Sequence, residues 1–96
     1  MAAAARLGDL CSGHGCFPPR DGSDAASTVF INGIRAHKYG DPWASHCCPK
    51  QGCHPSMIGG GSGTVTIEKA PAARIGDSIE CGSVIAQGSS NVFIGG

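Results

Sequence analysis

Ser27-Thr28-Val29-Phe30-Ile31-Asn32-Gly33 reads as a short strand running into a tight turn. β-branched and aromatic residues concentrate in it, and Asn-Gly tolerates positive φ at both turn positions. The pattern returns as Ser62-Gly63-Thr64-Val65-Thr66-Ile67 and as Ser89-Ser90-Asn91-Val92-Phe93-Ile94-Gly95. Each copy is preceded by a basic–apolar–Gly–Asp signature: Arg6-Leu7-Gly8-Asp9, Lys38-Tyr39-Gly40-Asp41 and Arg74-Ile75-Gly76-Asp77. Gly8 and Gly40 are 32 residues apart, and Gly40 and Gly76 are 36 apart. Two signatures in the same order three times mark three copies of one unit, roughly 6–33, 38–69 and 74–96, within a single domain over 1–96. The two-residue strand period puts Val29 with Ile31, Val65 with Ile67, and Val92 with Ile94 on one face, and Phe30, Thr66 and Phe93 on the other. Glu68-Lys69 stands where the first copy has Asn32-Gly33 and is a weaker turn former. No segment has the period of an amphipathic helix. Cys47 to Gly63, with Pro49, Gly52, Pro55 and three glycines at 59–61, reads as a long loop inserted in the second unit. The expected fold is all-β, built of short strands and hairpins in three repeats about a pseudo-threefold axis.

Composition narrows the classes. Seven basic and seven acidic residues balance to zero formal charge in 96 residues. This leaves no electrostatic footprint for nucleic acid and no basic patch for a membrane surface. Gly and Pro supply 22 residues, whereas Leu, Ile, Val and Phe supply only 17. A chain with so little apolar material needs a staple, and six Cys and four His are the candidates. There is no apolar run long enough to span a bilayer. The Ala-rich start is too short for a signal peptide and is followed by Arg6, Gly8 and Asp9.

A metal ligand follows each Gly-Asp at nearly the same offset. His14 and His46 lie five residues after Asp9 and Asp41, and Cys81 lies four after Asp77. Three units around a threefold axis would bring these side chains together near it. His54, eight residues after His46, completes the set. Three imidazoles and a thiolate suit tetrahedral Zn²⁺, which accepts N and S donors without geometric demands of its own. His37 falls outside the ligand slot and is expected on the solvated surface. The remaining cysteines, Cys11, Cys16, Cys47, Cys48 and Cys53, have open alternatives. The lack of a signal peptide argues against obligate disulfides. On export, Cys47 or Cys48 could pair with Cys16 or Cys53. A separate Cys-rich site of Cys47, Cys48, Cys53 and His54 is a further alternative.

Little in the sequence supports catalysis. No Glu stands beside a ligand His, and no local Ser-His-Asp or Cys-His pair is suggested. Asp9, Asp41 and Asp77 follow glycines, where side-chain hydrogen bonds to backbone shape turns. The glycines at 59–63 are not followed by the Lys of a phosphate-binding loop. A small zinc hydrolase and a thiol-rich metal-buffering or redox protein stand as the competing classes.

Pro71-Ala72-Ala73-Arg74, running into Ile75-Gly76-Asp77, resembles the signature of the PAAR-repeat proteins. The resemblance extends over nearly the whole chain and takes in Gly13-His14-Gly15 and both Val-Phe-Ile strands. The sequence departs from the pattern at Ala3-Ala4-Ala5-Arg6, at Arg35-Ala36-His37-Lys38 and at Glu68-Lys69. The resemblance implies a cone-shaped β-structure capping the trimeric VgrG-type β-helical spike of the bacterial type VI secretion system. It also implies a zinc near the vertex, held here by His14, His46, His54 and Cys81. Similar tips occur on contractile phage tails, the alternative owner. A chain of three similar units can sit on the axis of a homotrimer. Its exposed strand ends could then extend the partner's sheets. The expected docking residues are Val29, Ile31, Val65, Ile67, Val92 and Ile94. The expected role is structural, with no enzymatic activity, no nucleic-acid partner and no stable membrane insertion. No appended toxin domain is expected, so that any effectors would bind non-covalently or ride on the spike. Assembly is expected in the cytoplasm of the producing bacterium, followed by secretion into a target cell.

Overall fold

The computed structural model describes residues 1–49 and 51–96. They contain no helix. Eight short strands are joined by turns: β1 (Ala2–Ala3), β2 (Phe30–Ile31), β3 (Ile34–Arg35), β4 (Pro42–Cys48), β5 (Gly52–Met57), β6 (Thr66–Ile67), β7 (Ala70–Pro71) and β8 (Phe93–Ile94). The all-β expectation holds, with no strand longer than seven residues.

Three of the four antiparallel pairs are copies of one another. Their registers set Ile31 opposite Ile34, Ile67 opposite Ala70, and Ile94 opposite Ala2. The last pair joins the two ends of the chain, β8 with β1, so the repeats close into a ring. Hydrogen bonds repeat the symmetry. Ala5 N–H donates to Ala73 O, Ala73 N–H to His37 O, and His37 N–H to Ala5 O, at 3.0, 3.1 and 3.0 Å. This triangle makes Ala5, His37 and Ala73 equivalent. Around it, Ala4, Ala36 and Ala72 donate to the carbonyls of Val92, Val29 and Val65 at 2.9 to 3.0 Å. Three backbones converge at the axis, where the alanines 4, 5, 36, 72 and 73 are fully buried.

Each Gly-Asp signature is a turn of one design. Gly8, Gly40 and Gly76 have φ of 96°, 87° and 92°, a region L side chains rarely enter. The aspartate then folds back: Oδ2 of Asp9, Asp41 and Asp77 accepts the backbone N–H of Arg6, Lys38 and Arg74 at 2.8, 3.0 and 2.7 Å. Arg6 and Arg74 also grip their aspartates through Nε and Nη2. The turn-forming role expected of these carboxylates is the one they play.

The core is stacked in two layers along a body of 39 × 24 × 21 Å. Ile31, Ile67 and Ile94 form the first with Ala4, Ala26, Ala36 and Ala72, and Val29 and Val92 pack against it. Phe30 and Phe93 face outward, as the strand period requires, and are 57% and 52% exposed. The second layer holds Ala5, Ala73, Cys11, Trp43, Ile79, Ile58 and Ile85. Cys11, Trp43 and Ile79 each stand two residues after a turn aspartate, and each is bridged to a neighbour: Ile85, Gly22 and Ile58 respectively.

Two expectations are corrected. The stretch from Cys47 to Gly63 is no inserted loop over its first half, because β4 and β5 form the longest hairpin of the molecule. Its prolines and glycines masked the signal, and Pro42 and Pro55 occupy strand positions in a two-stranded ribbon. Lys50, inside that stretch, lies outside the described residues. His37 is not solvated either. It is fully buried at the second-alanine position of the ring.

Candidate metal centre

The group forms beyond the second core layer, from three separate turns and ribbons. His14 sits on a two-residue turn closed by reciprocal bonds with Phe17: His14 N–H to Phe17 O at 3.0 Å and Phe17 N–H to His14 O at 2.8 Å. His46 and His54 face each other across β4 and β5 as register partners. Cys81 lies in a turn fixed by Gly82 N–H to Ile79 O and Ile79 N–H to Ser83 O, and its side chain packs against the second core layer. Ligand atoms of His14, His46, His54 and Cys81 all lie within 4.8 Å of one another. The structure therefore brings together all four residues singled out from the sequence.

The three imidazoles converge through Nε2. His46 and His54 Nε2 are 2.7 Å apart, and His14 and His54 Nε2 are 3.2 Å apart. Around a tetrahedral ion with nitrogen bonds of about 2.0–2.1 Å, neighbouring nitrogens stand about 3.3 Å apart, a spacing that His14 and His54 match and that His46 and His54 would reach by moving apart. His46 Nδ1 is 2.8 Å from Pro18 O, so its proton sits there and Nε2 is left with a free lone pair. Burial first, and then the neighbouring His46 and His14 rings, hold His54 below the ordinary imidazole range. The ring is thereby kept neutral and able to donate a lone pair to a metal. Three nitrogens and one sulfur in this arrangement could hold a metal ion.

Phe17 is a neighbour that the sequence did not reveal. Its ring centroid lies 4.8, 5.0 and 4.4 Å from those of His14, His46 and His54, and it is nearly buried. It shields the imidazoles from water on one side. An open cleft lined by His54, Pro55, Ser56, Glu80 and Cys81 borders the other.

Two disulfides flank the group: Cys16 with Cys48, and Cys47 with Cys53. The expectation against disulfides is thus overturned, in favour of two of the pairings left open. Cys47 and Cys53 are direct cross-strand partners, whereas Cys48 points to the opposite face of β4 and meets Cys16. The alternative Cys-rich metal site falls with them, since its three sulfurs are consumed. Cys11 and Cys81 are free thiols, Cys11 within the core.

Of the six residues expected at a partner face, Ile31, Ile67 and Ile94 turn inward at 7%, 6% and 7% exposure. Val29 and Val92 are half-buried against them, and Val65 is exposed. The exposed apolar side chains of the three hairpins are Phe30, Ile34, Val65 and Phe93. No helix among the described residues is long and apolar enough to cross a membrane.

The PAAR motif matches residues 21–87, a span that includes His46, His54 and Cys81 and begins after His14. Two curated relatives from Pseudomonas aeruginosa are each 38% identical over 73 residues: the NAD(P)(+) glycohydrolase toxin Tse6 of strain PAO1 and the (p)ppApp synthetase toxin Tas1 of strain UCBPP-PA14. The alignments cover 71% of this chain and 17% of each relative, so the chain spans about a sixth of the length of the toxins it matches. The motif itself covers more than half of the chain, which thereby belongs to the PAAR-motif family.

Proposed function

We propose that this chain is a structural spike tip of the bacterial type VI secretion system, seated on the blunt end of a trimeric VgrG-type β-helix. The observation that carries the reading is the closed triangle of backbone bonds at Ala5, His37 and Ala73. It builds three similar faces from one chain, as a cap on a homotrimer requires. The three hairpins would present Phe30, Val65 and Phe93 and their strand edges to one spike subunit each, with the inward isoleucines holding the hairpins in place. Strand addition supplies backbone hydrogen bonds that do not depend on subunit side-chain identity.

The far end would be clamped by Zn²⁺ on His14, His46, His54 and Cys81. Four protein ligands close the coordination shell and leave no position for an activated water, which favours a structural over a hydrolytic role. With the metal bound, the turns carrying His14 and Cys81 are tied to β4 and β5 at the end where the core has run out. The names of the relatives, both toxins, favour a part in effector delivery, and their catalytic activities are not assigned to these residues. Assembly in the producing cell and passage into a target cell follow from the same reading.

Native mass spectrometry of the purified chain mixed with a trimeric spike protein from the same genome tests the proposal. A complex of one chain to three spike subunits, carrying one zinc, is expected. Self-trimerisation of the chain, or no complex with any spike trimer of that genome, would overturn it. Capture by a phage-tail spike alone would move the tip to a different particle.

A further inference from the structure

His37 is the one member of the central triangle that is not alanine. Its imidazole is fully buried, and among the described residues its Nε2 is the buried side-chain nitrogen or oxygen without a hydrogen-bond partner. The symmetry explains how a ring fits. Gly22, Ile58 and Ile85 occupy equivalent corners, bridged to Trp43, Ile79 and Cys11. At two corners an isoleucine stands over an alanine. At the third, Gly22 has no side chain and the His37 ring takes the room. A Cβ on Gly22 would come within 2.7 Å of His37 Nε2 and 3.3 Å of Trp43 Cζ3. Gly22 does not have positive φ, so its backbone does not require glycine. At this corner the space of an aliphatic side chain is taken by a titratable ring.

We propose that His37 is an acid-sensitive plug: its neutral ring fills the corner that isoleucine fills elsewhere, and a second proton on Nε2 forces the Gly22 segment away from Trp43. The neutral ring has its proton on Nδ1, 3.5 Å from Asp41 Oδ2. A proton on Nε2 would face Gly22 and the Trp43 ring, which is tilted 44° at 5.2 Å, and no acceptor lies within hydrogen-bond distance of that nitrogen. The charged groups around the ring are largely spoken for. Asp41 is paired with Lys38, and Asp9 with Arg6, while Asp21 acts only at longer range. Cys11 belongs to the same core layer as a free thiol. Burial depresses the His37 pKa below 6.5, and the attraction of Asp41 only partly offsets it. The folded state therefore binds fewer protons than the unfolded chain. Stability is full above about pH 6.5 and falls as pH drops below it, towards the depressed folded value.

The plug also has a route to the metal end. The segment bearing Gly22 is pinned to β4 by Ala44 N–H to Asp21 O and Ser23 N–H to Pro42 O, both at 3.0 Å. Four residues before Gly22, Pro18 O holds the Nδ1 proton of His46. Displacing Gly22 pulls on the carbonyl that orients a candidate ligand.

The test compares the wild-type chain with the double variant G22I/H37A, which sets the isoleucine and alanine of the other two corners beside Trp43. Thermal unfolding and Trp43 fluorescence are followed from pH 7.5 to 5 on the protein as purified with its metal. The candidate ligands are identical in both proteins, so their own protonation cancels in the comparison. The wild type should lose at least about 4 °C more in melting temperature over that range, with a shift in Trp43 emission that the double variant lacks. Parallel pH curves for the two would overturn the proposal. If the double variant does not fold, the imidazole proton resonances of His37 in the wild type decide. A ring protonating below pH 6.5, and only together with the Trp43 change, is expected. Protonation near pH 6.5 with Trp43 undisturbed refutes the plug.

Discussion

His46 is held at Nδ1 by Pro18 O, which turns its Nε2 towards the facing imidazole, and it is 1% exposed. Removing it should take away a ligand and also leave the Pro18 carbonyl without its donor. Cys81→Ser changes one atom in a half-buried turn, yet replaces the soft thiolate donor with a poor hydroxyl ligand. We expect His46→Ala and Cys81→Ser each to retain less than about a tenth of the wild-type metal by elemental mass spectrometry, since a closed site needs all four donors. Asp77→Ala is the contrast. It removes the acceptor of Arg74 N–H and should cost roughly 1–3 kcal/mol in denaturant unfolding with metal content unchanged. Equal metal loss in all three variants would refute the ligand assignment. Three of the four candidate ligands were readable because each falls just after a Gly-Asp turn, and His54 because the set lacked a donor. Phe17 and Pro18 were not, since their roles arise only when the 14–17 turn folds over β4. His37 was misplaced for a related reason: nothing in its own neighbourhood announces that Gly22, 15 residues earlier, leaves a hole for it.

The hairpin at 68–69 shows how an element with poor local propensity is kept. Glu68 and Lys69 have φ of 51° and 71°, the same left-handed pair as Asn32 and Gly33 at 56° and 76°. For Lys69 that conformation costs about 1 kcal/mol. Glu68 supplies the compensation. Its Oε2 accepts the backbone N–H groups of Ser27 and Thr28 and the Thr28 hydroxyl, at 3.0, 2.8 and 2.5 Å. In the other two copies a buried serine caps the segment before the strand, overlapping this role at one amide: Ser62 Oγ accepts from Thr64 and Val65, and Ser89 Oγ from Asn91 and Val92. The first copy has Ala26 at that place, so the cap comes from the neighbouring repeat. The substitution that looked like a weak turn in the sequence is thus explained by a missing hydroxyl elsewhere. The hydrogen bond from the Thr28 side chain, with that from its backbone, holds the Glu68 carboxyl below its ordinary value of 4.5. Its contribution is present above that pH and is lost as pH falls below it. Lys69→Gly should raise stability by about 1 kcal/mol at neutral pH. Glu68→Gln should lower it at pH 7 and erase part of the decline below pH 4.5. A Lys69→Gly variant no more stable than wild type would mean that Lys69 has a stabilising contact of its own.

At the scale of the molecule, the repeat order in the sequence and the closed ring are the same fact seen twice. The pattern of strand and turn announced three equivalent units, and the ring required that the first and last residues complete one of them, which β1 and β8 do. What the pattern could not announce is where symmetry stops. The hairpin layer is close to threefold, interlocked by Asn32 with Ser89, Glu68 with Ser27 and Thr28, and Ser62 with Gly95 O. The metal end is not symmetric: one unit supplies a two-residue turn, one a long ribbon and one a short turn. The two ends therefore draw their stability from different sources. The hairpin end relies on backbone bonds and a small aliphatic core, the other on two disulfides, Phe17 and the proposed ligation. Chelation of the metal should separate them. By hydrogen exchange followed with mass spectrometry, peptides covering 12–18, 44–57 and 79–83 should lose protection when the metal is removed. Those carrying the Ala5, His37 and Ala73 amides should keep theirs, because their bonds close on one another without passing through a ligand. Loss of protection in the triangle to the same extent as at the metal end would show that the ion holds the whole fold, with ring closure unable to stand by itself.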